Sequence, residues 1–201
     1  MNFNLELVAA MVMFAFVTSV TPGPNNMMLL ASGVNFGVKR TVPHWLGVSL
    51  GHFVMLLLVG AGLESLFKAY PFVYQVMKFV GFAYLVYLAW GVARSGAQER
   101  NGEKASKPIS FLEAAAFQWM NPKAWIMSIA YFSNYMPTDA SLTFVVLTCM
   151  MFSAINFPCV GLWVWLGAKL EHYLQRDTIR RMFNWTMALL LVISMIPVLF
   201  V

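Results

Sequence analysis

Thr21-Pro22-Gly23-Pro24-Asn25-Asn26 interrupts an apolar run that extends from about Leu5 to Phe36. Each proline lacks a backbone N–H and clashes with the carbonyl one turn back, so two prolines flanking a glycine open a helix locally. The backbone groups released there need partners. In hydrocarbon such a break is tolerated only where it is buried in protein or lines a cavity. The break therefore predicts a membrane helix with a polar interruption at its middle.

The composition supports lipid as the solvent. Of 201 residues, 60% are hydrophobic and 10% charged, against about 25% charged in soluble domains. The net charge of +5 does not indicate a nucleic-acid partner, because the basic residues sit in short segments between apolar runs. Cys149 and Cys159 share one apolar run and form no C-x-x-C pair, which argues against a disulfide framework or a zinc site. No Lys or Arg precedes the first run, so a retained first helix is expected rather than a removable signal peptide.

Further runs cover about Thr41 to Leu63, Phe72 to Ala93, Phe111 to Asn134, Ser141 to Gly167 and Met182 to Val201. The fourth is broken at Asn121-Pro122-Lys123, and the fifth contains Asn156 and Pro158. Each has roughly the 20 residues that a membrane-spanning helix requires. Six spans place alternate connections on opposite sides. One set holds Lys39, Arg40, Arg94, Arg100, Lys104, Lys107, Lys169, Arg176, Arg180 and Arg181, and the other set with both tails holds only Lys68. By the positive-inside rule the first set faces the cytoplasm and both termini face the periplasm. Lys78 and Glu113, near helix ends, are expected to snorkel.

The two breaks lie about a hundred residues apart, each in a long helix followed by an intact pair. The expected fold is an all-α membrane protein, a single transmembrane domain over 1–201. Its six helices form two inverted three-helix repeats, 1–93 and 111–201, joined by a cytoplasmic linker, 94–110. Paired interruptions at corresponding positions point to a transporter site near the bilayer midplane.

The candidate substrate-binding residues are Thr21, Pro22, Gly23, Pro24, Asn25, Asn26, Gln118, Asn121, Pro122 and Lys123. Opened helix ends offer amides to a carboxylate and carbonyls to an ammonium. A lysine at a helix centre costs about 2.5–3.5 kcal/mol on insertion scales and needs water, a partner or a substrate. The plainer alternative is that Lys123 occupies the carbonyls freed by Pro122. His52 and Lys123 are candidates for proton coupling, although a packing histidine accounts for His52 equally well. Asn156 and Asn184 are cavity candidates. Gly33 with Gly37, and Gly47 with Gly51, have the spacing of close helix contacts. Trp163, Trp165, Trp185 and Tyr87 suit interface belts or packing. Hydrolase, zincin and P-loop motifs are missing from the sequence, and no cofactor or metal is expected.

Thr21-Pro22-Gly23-Pro24-Asn25, followed by Gly33, Gly37, Gly47 and Gly51, resembles the first-helix signature of the LysE/RhtB family of amino-acid exporters. Asn121-Pro122-Lys123 resembles that family's second signature, and the likeness covers essentially the whole chain. Lys107-Pro108-Ile109-Ser110-Phe111 with Phe117-Gln118 is similar to the cysteine and O-acetylserine exporter branch. The resemblance implies efflux of amino acids or their derivatives across a bacterial inner membrane, driven by proton antiport. One departure is Asn184, which stands where many relatives carry a small residue, expected opposite Gly81.

The resulting expectation is alternating access around a polar, solute-sized hollow between the two breaks. Its ligand is a small-molecule amino acid, its surroundings are membrane lipid, and a homodimer is an open option. Metal-ion efflux and a membrane redox conduit are the alternatives. The conduit requires exchangeable thiols, whereas Cys149 and Cys159 stand about 15 Å apart along one helix.

Overall fold

The computed structural model describes residues 5–63, 71–95, 107–137 and 140–199. Seven α-helices and no strand occur among them. They are α1 (Leu5–Val20), α2 (Pro24–Leu58), α3 (Pro71–Arg94), α4 (Phe111–Met120), α5 (Pro122–Tyr135), α6 (Leu142–Leu170) and α7 (Asp177–Leu199). A π-helical turn (Val59–Leu63) extends α2, and a 3-10 turn (Glu171–Leu174) follows α6. Lys68, Arg100 and Lys104 lie outside the described residues, as does the side chain of Lys78.

α2 is not one rod. Its 35 residues would span about 52 Å as a straight helix, against a hydrocarbon core of about 30 Å. Gly37 has φ 71° and ψ 174°, a left-handed φ that favours glycine. The Ser32 and Thr41 hydroxyls are 2.9 Å apart, whereas nine residues of straight helix would separate them by about 13 Å. The chain therefore reverses at Gly37 and makes a helical hairpin. Gly37, expected to lie on a packing face, is instead the reversal itself, and no atom stands within 4 Å of where its Cβ would be. The Thr41 hydroxyl donates to Gly37 O at 2.8 Å and fastens the turn.

Side-chain contacts give the helix directions. Met11 shares a buried cluster with Cys149, Asn156 reaches Ser19, and Gly33 lies against Val164 and Gly167. α1 and the first limb of α2 therefore run parallel to α6. The second limb runs parallel to α4 and α5, because Gly47 packs on Phe111, Gly51 on Ala115 and Gly60 on Phe132. Gly81 against Met120, with Tyr84 donating to Glu113 O, sets α3 antiparallel to α4. Asn184 bonds both Asn35 and Ser95 O. The Gly37 turn, the C-terminus of α3 and the N-termini of α4 and α7 thus gather at one end. That end carries Lys39, Arg40, Arg94 and Lys107.

Glycine brings these helices close. An added Cβ would stand 2.3 Å from Val164 O at Gly33 and 2.2 Å from Leu30 O at Gly167. Lipid supplies little hydrophobic drive between helices, so such close contacts hold a membrane bundle together. The outer surface is apolar. Met13, Phe16, Leu50, Val54, Met150, Leu189 and Ile193 are all exposed, a coating unsuited to water. Leu142–Leu174 is long and apolar enough to cross a membrane as one helix, whereas Pro24–Gly62, of sufficient length and composition, is divided by the reversal at Gly37.

Several expected boundaries shift. α7 starts at Asp177 rather than Met182. The first break is only Thr21-Pro22-Gly23, because Asn25 and Asn26 already belong to α2. Pro158 does not divide α6, whose helix continues to Leu170. Glu113 is engaged at the start of α4: it accepts from Ser110 N at 2.8 Å while Ser110 Oγ accepts from Glu113 N, a reciprocal cap.

Candidate functional site

The last carbonyls of α1 face the first break, where helix geometry leaves them without intrahelical donors. Four of them are satisfied in four different ways. Val17 O accepts from Thr21 N, and Thr18 O from the Thr21 hydroxyl at 3.1 Å. Ser19 O accepts from Asn26 Nδ2 at 2.9 Å, and Val20 O from Trp163 Nε1 at 3.2 Å. Asn26 Nδ2 also donates to Thr21 O at 2.8 Å, stapling α1 to α2 across the gap. Three of these four carbonyls, expected to be free, are therefore held by side-chain donors and the fourth by a backbone amide.

The second break is narrower. Asn121 is extended (φ −89°, ψ 108°) and caps α5, its Oδ1 accepting from Lys123 N at 3.1 Å. Pro122 is the first residue of α5, a position that loses no hydrogen bond to proline.

The two breaks touch. Lys123 Nζ donates to Thr21 O at 2.8 Å, to Thr21 Oγ1 at 2.9 Å and to Pro22 O at 3.2 Å. All three ammonium protons thus go to neutral oxygens 101–102 residues away in sequence. Lys123 does occupy break carbonyls, but those of the other break rather than those released by Pro122. Gly23 leaves room for its stem, since a Cβ there would lie 2.7 Å from Lys123 Cδ. Beside this contact Asn25 and Gln118 exchange two hydrogen bonds, at 2.7 and 3.1 Å. Gln118 also donates to Ala114 O.

A polar cavity of about 30 Å³ lies where the breaks meet. Gly23, Asn25, Asn26, His52, Asn121, Lys123 and Asn156 line it. A water needs roughly 10–15 Å³ on this measure, so about two waters fit. The expectation of a solute-sized hollow is thus not met: Lys123 and the Asn25–Gln118 pair draw the breaks together and fill the space. Thr21, Pro22, Pro24, Pro122 and Gln118 stand behind the wall rather than in it.

His52 is buried, with Nε2 3.5 Å from the Ser128 hydroxyl, no partner at Nδ1 and its ring against Phe152. Asn156 donates to Ser19 Oγ at 2.9 Å. Asn184 is elsewhere. It is fully buried, exchanges two bonds with Asn35 and donates to Ser95 O at 2.6 Å. Gly81 meets Met120 instead, so the expected juxtaposition of Asn184 with Gly81 fails. Asn184 faces the far end of α3, where a polar carbonyl can take its bond. Cys149 and Cys159 are free, buried thiols.

Thr18 and Ser19 line the cavity without having been singled out in the sequence. The available signal was two hydroxyls one turn before the break. Trp163 was assigned to packing, yet its indole satisfies the last carbonyl of α1.

Described residues that are helical throughout their regular structure, an apolar exterior and two breaks joined across a polar cavity are consistent with a membrane transporter. The chain belongs to the LysE type translocator family, whose profile matches residues 16–196. That is a family of transporters, not enzymes. The cysteine/O-acetylserine efflux protein of Escherichia coli (strain K12) is 30% identical over 187 residues, covering 92% of this chain and 94% of its own. The proteins of the same description from Shigella sonnei (strain Ss046) and Escherichia coli O9:H4 (strain HS) match to the same extent. No solved structure matches the chain.

Proposed function

We propose that the protein is a secondary exporter of an amino acid or amino-acid derivative, working by proton antiport. The efflux activity for which its relatives are named supports the reading. The observation that carries it is the Lys123 ammonium seated on the Thr21 and Pro22 oxygens. That seat already accommodates an ammonium group. The solute's ammonium takes the seat, and Lys123 swings to the solute's carboxylate. The same swing vacates the volume that Lys123 fills in the closed cavity.

The proposed frame is six spans in two inverted repeats, 1–93 and 111–201, with the linker 94–110 in the cytoplasm. α1 with the first limb of α2 is span one, and α4 with α5 is span four. Both termini are periplasmic, and the membrane is the inner membrane of a bacterium. His52 and Lys123 are the proton-coupling groups: one lines the cavity with an unpartnered ring nitrogen and the other gives up its seat to cargo.

Counterflow in proteoliposomes tests the reading, with O-acetylserine and the common amino acids as probes. Wild-type protein accumulates at least one of them, whereas Lys123→Ala accumulates none. Normal counterflow by Lys123→Ala would falsify the role given to the seat. For coupling, His52→Asn keeps counterflow but loses its response to an imposed pH gradient.

A further inference from the structure

A second cavity, about 370 Å³, opens at the basic end of the bundle. It is an order of magnitude larger than the hollow at the breaks and falls within the range of small-molecule sites. The first limb of α2, the end of α3 and the start of α4 enclose it. Among the described residues its charged lining is one of each sign, Lys107 and Glu113, and its polar residues include Asn35 and Ser95. Asn35 is fixed by the buried Asn184, which also holds Ser95 O.

The cavity is aligned with the breaks. Asn25, Met28, Ser32 and Asn35 follow one another at spacings of three and four residues, which puts them on one face of a helix. Asn25 lines the small cavity, and the other three line the large one. Met28, buried with Phe117 and Leu85, lies one turn from Asn25. Ten residues of helix correspond to about 15 Å between the ends of this stripe.

We infer that this cavity is a separate loading site for a zwitterionic solute, with Glu113 taking the ammonium and Lys107 the carboxylate. It rests on the exporter reading above. A free amino acid carries both charges a short distance apart, and an oppositely charged side chain for each selects it over an amine or an acid alone. A phosphatidylethanolamine headgroup shares that chemistry. The two sources differ in that only a free solute can move along the stripe to the breaks.

The test uses the full chain in inside-out vesicles, which present the basic end outward, and in right-side-out vesicles. Glu113→Gln keeps the reciprocal cap, because glutamine serves at that position, but removes the charge. Loss of one charge-assisted bond corresponds to roughly tenfold or more in affinity. Glu113→Gln and Lys107→Gln should each raise the half-saturating O-acetylserine concentration by that factor at the basic face only. No rise, or an equal rise at both faces, overturns the loading site and leaves the exporter reading standing. Failure of the wild type to move O-acetylserine or any common amino acid overturns both.

A binding readout independent of transport comes from Gly91, which lines the cavity and has open space where a Cβ would be. Gly91→Cys is made with Cys149→Ala and Cys159→Ala. O-acetylserine should slow its maleimide labelling in phosphatidylglycerol vesicles, and the N-acetylated analogue should not. Slowing by added phosphatidylethanolamine but not by O-acetylserine overturns the inference in favour of a lipid site.

Discussion

A methyl group on Gly23 would stand 2.7 Å from Lys123 Cδ and 3.2 Å from Nζ. Both atoms belong to a flexible side chain, and the Gly23 φ of 178° is open to any residue. Gly23→Ala should therefore cost less than about 1 kcal/mol in stability yet displace the ammonium from Thr21 and Pro22. Normal melting with transport cut at least about tenfold is the expected outcome. A variant that melts normally and transports normally would show the contact to be incidental. Proline and asparagine announced both breaks, but the sequence could not say which carbonyls Lys123 would bond. A contact over 102 residues depends on the packing of whole helices and leaves no local pattern. The exchange between Asn25 and Gln118 was hidden for the same reason.

Among the helices, Gly33 and Gly167 form a contact that tolerates little. Each would place a Cβ within 2.3 Å of a backbone carbonyl on the opposite helix, and backbone cannot rotate away. Gly33→Ala or Gly167→Ala must push the first limb of α2 off α6, at a cost of about 1–3 kcal/mol. The expected signs are a lower melting temperature in detergent and reduced yield. Gly37→Ala acts differently: space is open there, but its φ of 71° with ψ of 174° costs an alanine about 1–3 kcal/mol. Placing runs at Leu5–Phe36 and Thr41–Leu63 bracketed the reversal, because apolar length and the Lys39-Arg40 pair are local signals. That one glycine suffices to turn the chain was not legible, since Gly33, Gly37, Gly47 and Gly51 look alike until φ is known.

Across the bundle, the six-span frame proposed above predicts which connections share a side of the membrane. Reporter fusions after residue 201 and at Lys107 should give opposite sidedness, the first periplasmic and the second cytoplasmic. The same side for both would remove the six-span frame. Alternating access also requires the breaks to part. Asn25→Cys with Gln118→Cys, lacking the native thiols and joined through two mixed disulfides by a short bis-methanethiosulfonate, should stop counterflow until a thiol reductant opens the bridge. Unaltered counterflow in the bridged protein would mean that the breaks stay together throughout. The overall volume of the site was the part least accessible from sequence, because closure depends on how far two helices approach rather than on which residues they carry.

An antiporter that idles must not short-circuit the proton gradient. The lysine lying across both breaks leaves space for about two waters, too few to thread a continuous wire through the bundle. On the antiport reading proposed above, dissipation without cargo is blocked by the same side chain that arriving cargo has to evict, so ions and solute share one toll.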